Sequence, residues 1–192
     1  MLILAAAGTG KTRTLVYRVA YLVSQGIDPE RILLLTFTNR AAQEMLERAD
    51  ELVGHPAGIP WSGTFHHVAN RILRRHAPML DYRHNFTIMD RDDSRSLMRA
   101  CIKELKLQSK EFPKRDVLLH VLGKAVNSET ALGDAIAEHF EGHEVNQGAV
   151  LDVLKLYIAK KREIHAMDFD DLLVNCLKLF REHPVVRERY AE

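Results

Sequence analysis

The eight residues Ala5-Ala6-Ala7-Gly8-Thr9-Gly10-Lys11-Thr12 carry the most specific chemistry in this sequence. Two glycines, a lysine and a hydroxyl residue at this spacing suit a nucleotide's phosphates. Gly8 and Gly10 let the backbone turn tightly and bring its N–H groups to phosphate oxygens. A helix opening near Lys11 aims the positive end of its dipole at the same anion. Lys11 can reach the β and γ phosphates, and the Thr12 hydroxyl can ligate Mg2+. Lys11 and Thr12 are therefore the expected catalytic residues. Ala7, Gly8, Thr9, Gly10, Lys11, Thr12 and Arg13 are the expected nucleotide contacts, with Thr12 as the Mg2+ ligand. The strict pattern has glycine where Ala5 stands, and the alternative is a small-residue turn with no ligand. A phosphate loop alone names no function, since kinases, GTPases, transporters and motors all use one.

Such a loop needs a strand before it and a helix after it. Leu2–Ala6 is a short apolar run suited to a buried parallel strand. From Lys11 the period changes: Leu15, Val16, Val19, Ala20, Leu22 and Val23 mark one face of a helix that Gly26 ends. Ile32–Thr36 reads as a second strand. Asn39 is placed to cap a helix with Ala42, Met45, Leu46, Ala49, Leu52 and Val53 on its buried face. Trp61–Phe65 reads as a third strand, followed by a helix over 66–76. Three strand–helix alternations imply a parallel, doubly wound α/β sheet. Beyond Pro78 the only strand candidate is Phe86–Met89. Asp90 can cap a helix whose face is Leu97, Met98, Cys101, Ile102 and Leu105. Further helices are expected near 114–126, 129–140, 145–165, 168–181 and 184–191. Gly123, Gly133 and Gly142 read as breaks or caps, and no internal repeat stands out.

Composition narrows the class. Hydrophobic residues make up 46% and charged residues 28%, as in a globular protein. No stretch approaches the ~20 apolar residues of a membrane span. Cys101 and Cys176 lie in apolar helical patterns and read as reduced core residues of a cytoplasmic protein. The net charge of +1 is not the strongly basic balance that by itself marks a nucleic-acid binder. Contact with DNA then rests on local residues.

Those residues stand where ligands bind in parallel α/β folds, at the carboxyl edge of the sheet. Phe37 and Phe65 follow two expected strands, and a base stacks on an aromatic ring with about 1–3 kcal/mol. Thr38, Asn39, Thr64 and His66 can bond phosphate or sugar, and Arg40 adds charge. Each has a plain structural alternative: Phe37 in the core, Asn39 as a helix cap, His66 as a surface residue. Asp168, Asp170 and Asp171 suit a helix N-terminus better than a metal. Lys160-Lys161-Arg162 and Arg74-Arg75 read as solvated faces.

Leu33-Leu34-Leu35-Thr36-Phe37-Thr38-Asn39-Arg40-Ala41-Ala42 resembles motif Ia of the UvrD/Rep/PcrA helicases of superfamily 1. Ser62-Gly63-Thr64-Phe65-His66 resembles their motif Ib, and Met167-Asp168-Phe169-Asp170-Asp171-Leu172-Leu173 the segment leading back into their ATPase core. The phosphate loop resembles theirs, with Ala6 and Thr9 departing from it, and Phe86–Asp90 is also similar. The resemblance runs over nearly the whole chain and is loosest from about 106 to 150.

It implies an incomplete RecA-like P-loop NTPase sheet over 1–64 and 166–192, with a mostly α-helical subdomain inserted over 65–165. It implies ATP with Mg2+, movement 3′ to 5′ on single-stranded DNA, DNA junctions as further substrates, and repair or replication proteins as partners. The family's Asp-Glu strand, adenine-contacting glutamine and second RecA-like domain would lie outside these 192 residues, so the chain alone is expected to be a poor ATPase. Two other readings remain: a non-enzymatic module binding single-stranded DNA or a protein partner, and a P-loop kinase or GTPase.

Overall fold

The computed structural model describes residues 8–191, so the expected strand at Leu2–Ala6 lies outside the described residues. Over the described residues the protein is a mostly helical α/β chain with two small parallel sheets. It divides into two compact units. One runs to Arg71 and takes up the chain again from Arg189; the other spans Ile72–Glu188.

In the first unit, helix α1 (Lys11–Ser24) leads through a 3-10 turn to strand β1 (Leu33–Thr36). Helix α2 (Asn39–Val53) crosses back to strand β2 (Trp61–Thr64), and helix α3 (Phe65–His76) follows. β1 and β2 pair in parallel, with Leu33 beside Trp61 and Thr36 beside Thr64. The crossover through α2 makes one βαβ unit. Val16 and Val19 of α1 pack with Leu34 of β1 and with Met45 and Ala49 of α2. Two expectations need correction. Thr38, not Asn39, caps α2, its hydroxyl accepting the Ala41 N–H at 3.1 Å. A cap must keep extended backbone, which Thr38 does while Asn39 is already helical. Leu15 and Leu52 are exposed, because the helix faces that meet the sheet are narrower than the apolar pattern.

The second unit holds the short strand β3 (Thr87–Ile88) and helices α4 (Arg91–Glu104), α5 (Arg115–Asn127), α6 (Leu132–His139) and α7 (Gln147–Glu163). Strand β4 (Ala166–Met167), helix α8 (Phe169–Glu182) and helix α9 (Pro184–Ala191) as far as Glu188 complete it. Met98, Leu118, Val121, Val150, Val153, Leu154 and Tyr157 form its fully buried core. β4 was not expected. It pairs in parallel with β3, Ile88 beside Met167, and a two-residue strand leaves no periodic trace in sequence. Gly123 and Gly133 lie inside helices rather than at breaks, whereas Gly142 turns the chain at φ 74° after α6. Leu105 caps α4 and is exposed. Cys101 and Cys176 are buried free thiols. Burial raises both, Cys176 to about 11.

No long repeat exists, but Met-Asp-x-Asp-Asp occurs twice, at 89–93 and 167–171. Each copy leaves one of the paired strands and opens a helix with the same capping box: Asp90 with Asp93, and Asp168 with Asp171. Asp90→Ala removes the acceptor of the Asp92 and Asp93 N–H groups. Its expected cost is ~1 kcal/mol of unfolding free energy in urea titration.

Candidate functional site

Gly8 and Gly10 both hold left-handed backbone, at φ 78° and 84°. Side chains with a Cβ are strained there, which is why glycine recurs at this spacing. Gly10 is the N-cap of α1, and the helix begins with the Thr14 N–H donating to the Gly10 carbonyl at 2.9 Å. The preceding amides of the first turn have no helical acceptor. No side chain caps them and no acidic residue sits in that turn. The helix therefore presents an uncompensated positive end, flanked by exposed Lys11, Thr12 and Arg13. Gly8, Thr9 and Gly10 are exposed too. This is a fitting cradle for an anion. The Arg13 guanidinium lies 5.4 Å from the centre of the Tyr17 ring. Ala5–Ala7, including the expected contact Ala7, lie outside the described residues.

A second set of site residues meets at the carboxyl ends of β1 and β2. Because Thr36 and Thr64 are register partners, the next residues, Phe37 and Phe65, project from equivalent places on neighbouring strands. Their ring centres are 6.0 Å apart and tilted by 46°. Phe37 is 92% exposed and Phe65 46% exposed. A core role for Phe37 is thereby excluded, and the exposed pair has π faces available for stacking.

The polar residues beside the rings have mixed availability. The Thr38 hydroxyl accepts from Ala41 N–H, and the Thr64 hydroxyl accepts from His67 N–H at 3.2 Å. Each still has its own proton to donate, so capping the helix and donating to a phosphate oxygen are compatible. Asn39 is exposed and His66 half-buried. Arg40 is open to solvent and shares a 3.0 Å ion pair with Glu44, a screened contact that a phosphate can replace. Gly63 has φ 145°, and a Cβ there would meet the His67 ring at 3.0 Å. Gly63 thus sets the turn that places Thr64 and Phe65. The sequence reading missed His67, which has no motif signature of its own.

The second unit has a different polar centre. Lys161 is 5% exposed, not on a solvated face as its Lys-Lys-Arg context suggested. Its ammonium lies 2.5 Å from Asp168 and 2.6 Å from Asp171. Burial works against this cation, but the charges of Asp171 and Asp168 overcome it and hold its pKa above the ordinary lysine value. Only the neighbours Lys160 and Arg162 reach the surface, pairing with Glu104 and Asp81. Among the described residues no three His, Cys, Asp or Glu side chains converge as a metal site. No helix among them is long and apolar enough to cross a membrane.

The comparisons with known proteins give the family. The family model for the UvrD/REP helicase N-terminal domain matches residues 1–192. The chain is 37% identical over 191 residues to the ATP-dependent DNA helicase PcrA of Staphylococcus aureus strain Mu50, covering 99% of this chain and 26% of that protein. The PcrA of Staphylococcus epidermidis strain RP62A matches with the same identity and coverage. The chain therefore spans about a quarter of the length of these relatives. With a family model that covers it from end to end and relatives above a third identical, the chain belongs to the UvrD/REP helicase N-terminal domain family.

Proposed function

We propose that this chain is part of an ATP-dependent DNA helicase that binds ATP with Mg2+ and moves 3′ to 5′ along single-stranded DNA. Family membership supports the activity. The exposed Phe37–Phe65 pair at the paired strand ends carries the DNA-binding part. Two rings without hydrogen-bonding edges stack bases of any sequence, as a translocating motor requires. Thr38, Asn39, Arg40, Thr64 and His66 hold phosphate and sugar around them.

The nucleotide is held by Gly8–Arg13 with Ala7. Lys11 neutralises β and γ phosphate charge, and Thr12 is the Mg2+ ligand. Bound Mg2+ supplies further charge neutralisation on those phosphates. The RecA-like portion is proposed as 1–64 with 166–192, and 65–165 as its inserted helical subdomain. Packing divides the chain elsewhere, after Arg71 and after Glu188, because α8 packs against α5 and β4. A cytoplasmic location, action on DNA junctions and partnership with repair or replication proteins belong to the same proposal.

Phe37→Ala tests the DNA site. Losing one stacking ring is expected to weaken binding of a fluorescent oligo-dT by about 1–3 kcal/mol in anisotropy titrations. Because Phe37 is nearly free of packing, its thermal unfolding should not change. Unaltered oligonucleotide affinity would remove the aromatic pair from the DNA path.

A further inference from the structure

Helix α2 opens beside the aromatic pair, because Phe37 and Thr38 run directly into Asn39 and Arg40. Arg40 therefore stands in the first turn of the helix, at the positive end of its dipole. That is the least favourable end of a helix for a cation, and no acidic residue shares the turn. The compensating charge comes from one turn further on. The Arg40 Nε donates to the Glu44 carboxylate at 3.0 Å. The Arg48 guanidinium lies 3.8 Å from the other oxygen of the same carboxylate. One carboxylate thus serves two cations. Both arginines are exposed, while Glu44 is half-buried on the helix.

Helix stability does not account for this arrangement. An i,i+4 ion pair supports a helix best when the acid is the N-terminal member. Glu44 and Arg48 have that order, yet the hydrogen bond goes to Arg40, in the reverse order. The contact with Arg40 does relieve a cation that the dipole opposes. Glu47 provides a contrast on the same helix. Its carboxylate accepts the Gln43 amide at 2.9 Å and forms no ion pair among the described residues.

We propose that Glu44 is an internal stand-in for a DNA phosphate. It holds Arg40 in the unbound protein and gives it up when the sugar–phosphate backbone arrives, so it sets how tightly single-stranded DNA is gripped. The inference rests on the DNA-binding reading of the strand ends and adds a residue that touches no DNA itself. Glu44 acts through Arg40 and is a positioning residue. Exchanging one oxyanion for another at an exposed guanidinium changes the free energy little. A contact of that kind forms and breaks easily, which suits a protein that must release each phosphate to advance.

The test is anisotropy titration of the whole chain with fluorescent oligo-dT across a range of salt concentrations. Glu44→Gln is expected to bind about two- to fivefold more tightly at low salt, the fold-change that release of one exposed ion pair corresponds to. The slope of log affinity against log salt should steepen by up to about 0.7, because Arg40 then meets phosphate with no internal counterion to give up. A purely structural role would shift unfolding and leave that slope as it is. Glu47→Gln removes the same charge without freeing an arginine and should gain less. Arg40→Gln should weaken binding, and adding Glu44→Gln to it should gain no more than Glu47→Gln does. The proposal is overturned if Glu44→Gln gains nothing, gains only as much as Glu47→Gln, or gains equally without Arg40. Weakened binding in Phe37→Ala and Arg40→Gln beside any of these results would overturn the role of Glu44 alone. Unaltered affinity in both of those variants would remove the DNA reading, and this inference with it.

Discussion

Lys11→Ala is expected to lower the affinity of the protein for Mg-ATP by about 10- to 150-fold, the loss of a charge-assisted phosphate contact worth roughly 1.5–3 kcal/mol. The magnitude follows from the loop's geometry. Gly8 and Gly10 turn the backbone, and the first turn of α1 offers amides that no side chain caps. Those amides remain in the variant, so binding weakens without vanishing. Lys11 is exposed, and its removal leaves the core of Val16, Val19 and Met45 intact. Isothermal titration with ATP and Mg2+ reads the effect, and matched urea midpoints show that folding is unaltered. Equal nucleotide affinity in the two proteins would end the phosphate-loop assignment.

Lys161→Met is expected to destabilise the second unit by roughly 3–5 kcal/mol, because it leaves two largely buried carboxylates without their cation. Asp168 and Asp171 together form the capping box of α8, so the unpaired charges sit at the start of a structural helix. Lys161→Met/Asp171→Asn should recover part of the loss by removing one of the stranded charges. Chemical unfolding followed by far-UV circular dichroism reads both.

The pH dependence has a definite sign. A lysine whose folded pKa is raised contributes stability in full below its unfolded value of about 10.4 and loses it as pH rises through the folded value. The advantage of the wild type over Lys161→Met is therefore expected to stay level from neutral pH to about 10 and to shrink only above that. A gap that closed between pH 7 and 9 would contradict the buried ion triad.

The two largest expected effects differ in how visible they were in sequence. The role proposed for Lys11 comes from sequence because it is local: glycines, lysine and threonine lie within one turn, and their spacing carries the proposal. The same holds for the helix faces of Val16, Val19, Met45 and Ala49, which a 3.6-residue period predicts. Lys161 was not legible. Its neighbours Lys160 and Arg162 are solvated, and its partners lie beyond a chain reversal through β4. Local charge context pointed to the surface, and long-range pairing decided otherwise. Asn39 shows the same limit at finer scale, since Thr38 and Asn39 are both good caps and backbone geometry chooses between them.

By itself, the sequence determined the spacing of glycines, lysine and threonine on which the phosphate-loop proposal rests, most of the helices, the family resemblance and the identity of the residues flanking the two strand ends. All of these depend on neighbours within a few positions, where spacing and side-chain type carry the physics. The tertiary structure alone decided that Phe37 and Phe65 form one exposed pair, since only the Thr36–Thr64 register brings residues 28 positions apart to a 6.0 Å separation. It alone decided that β3 and β4 pair, that Lys161 is buried between two aspartates, and that Gly123 makes room for Asp170. These are contacts between distant segments, set by the packing of whole elements rather than by local pattern.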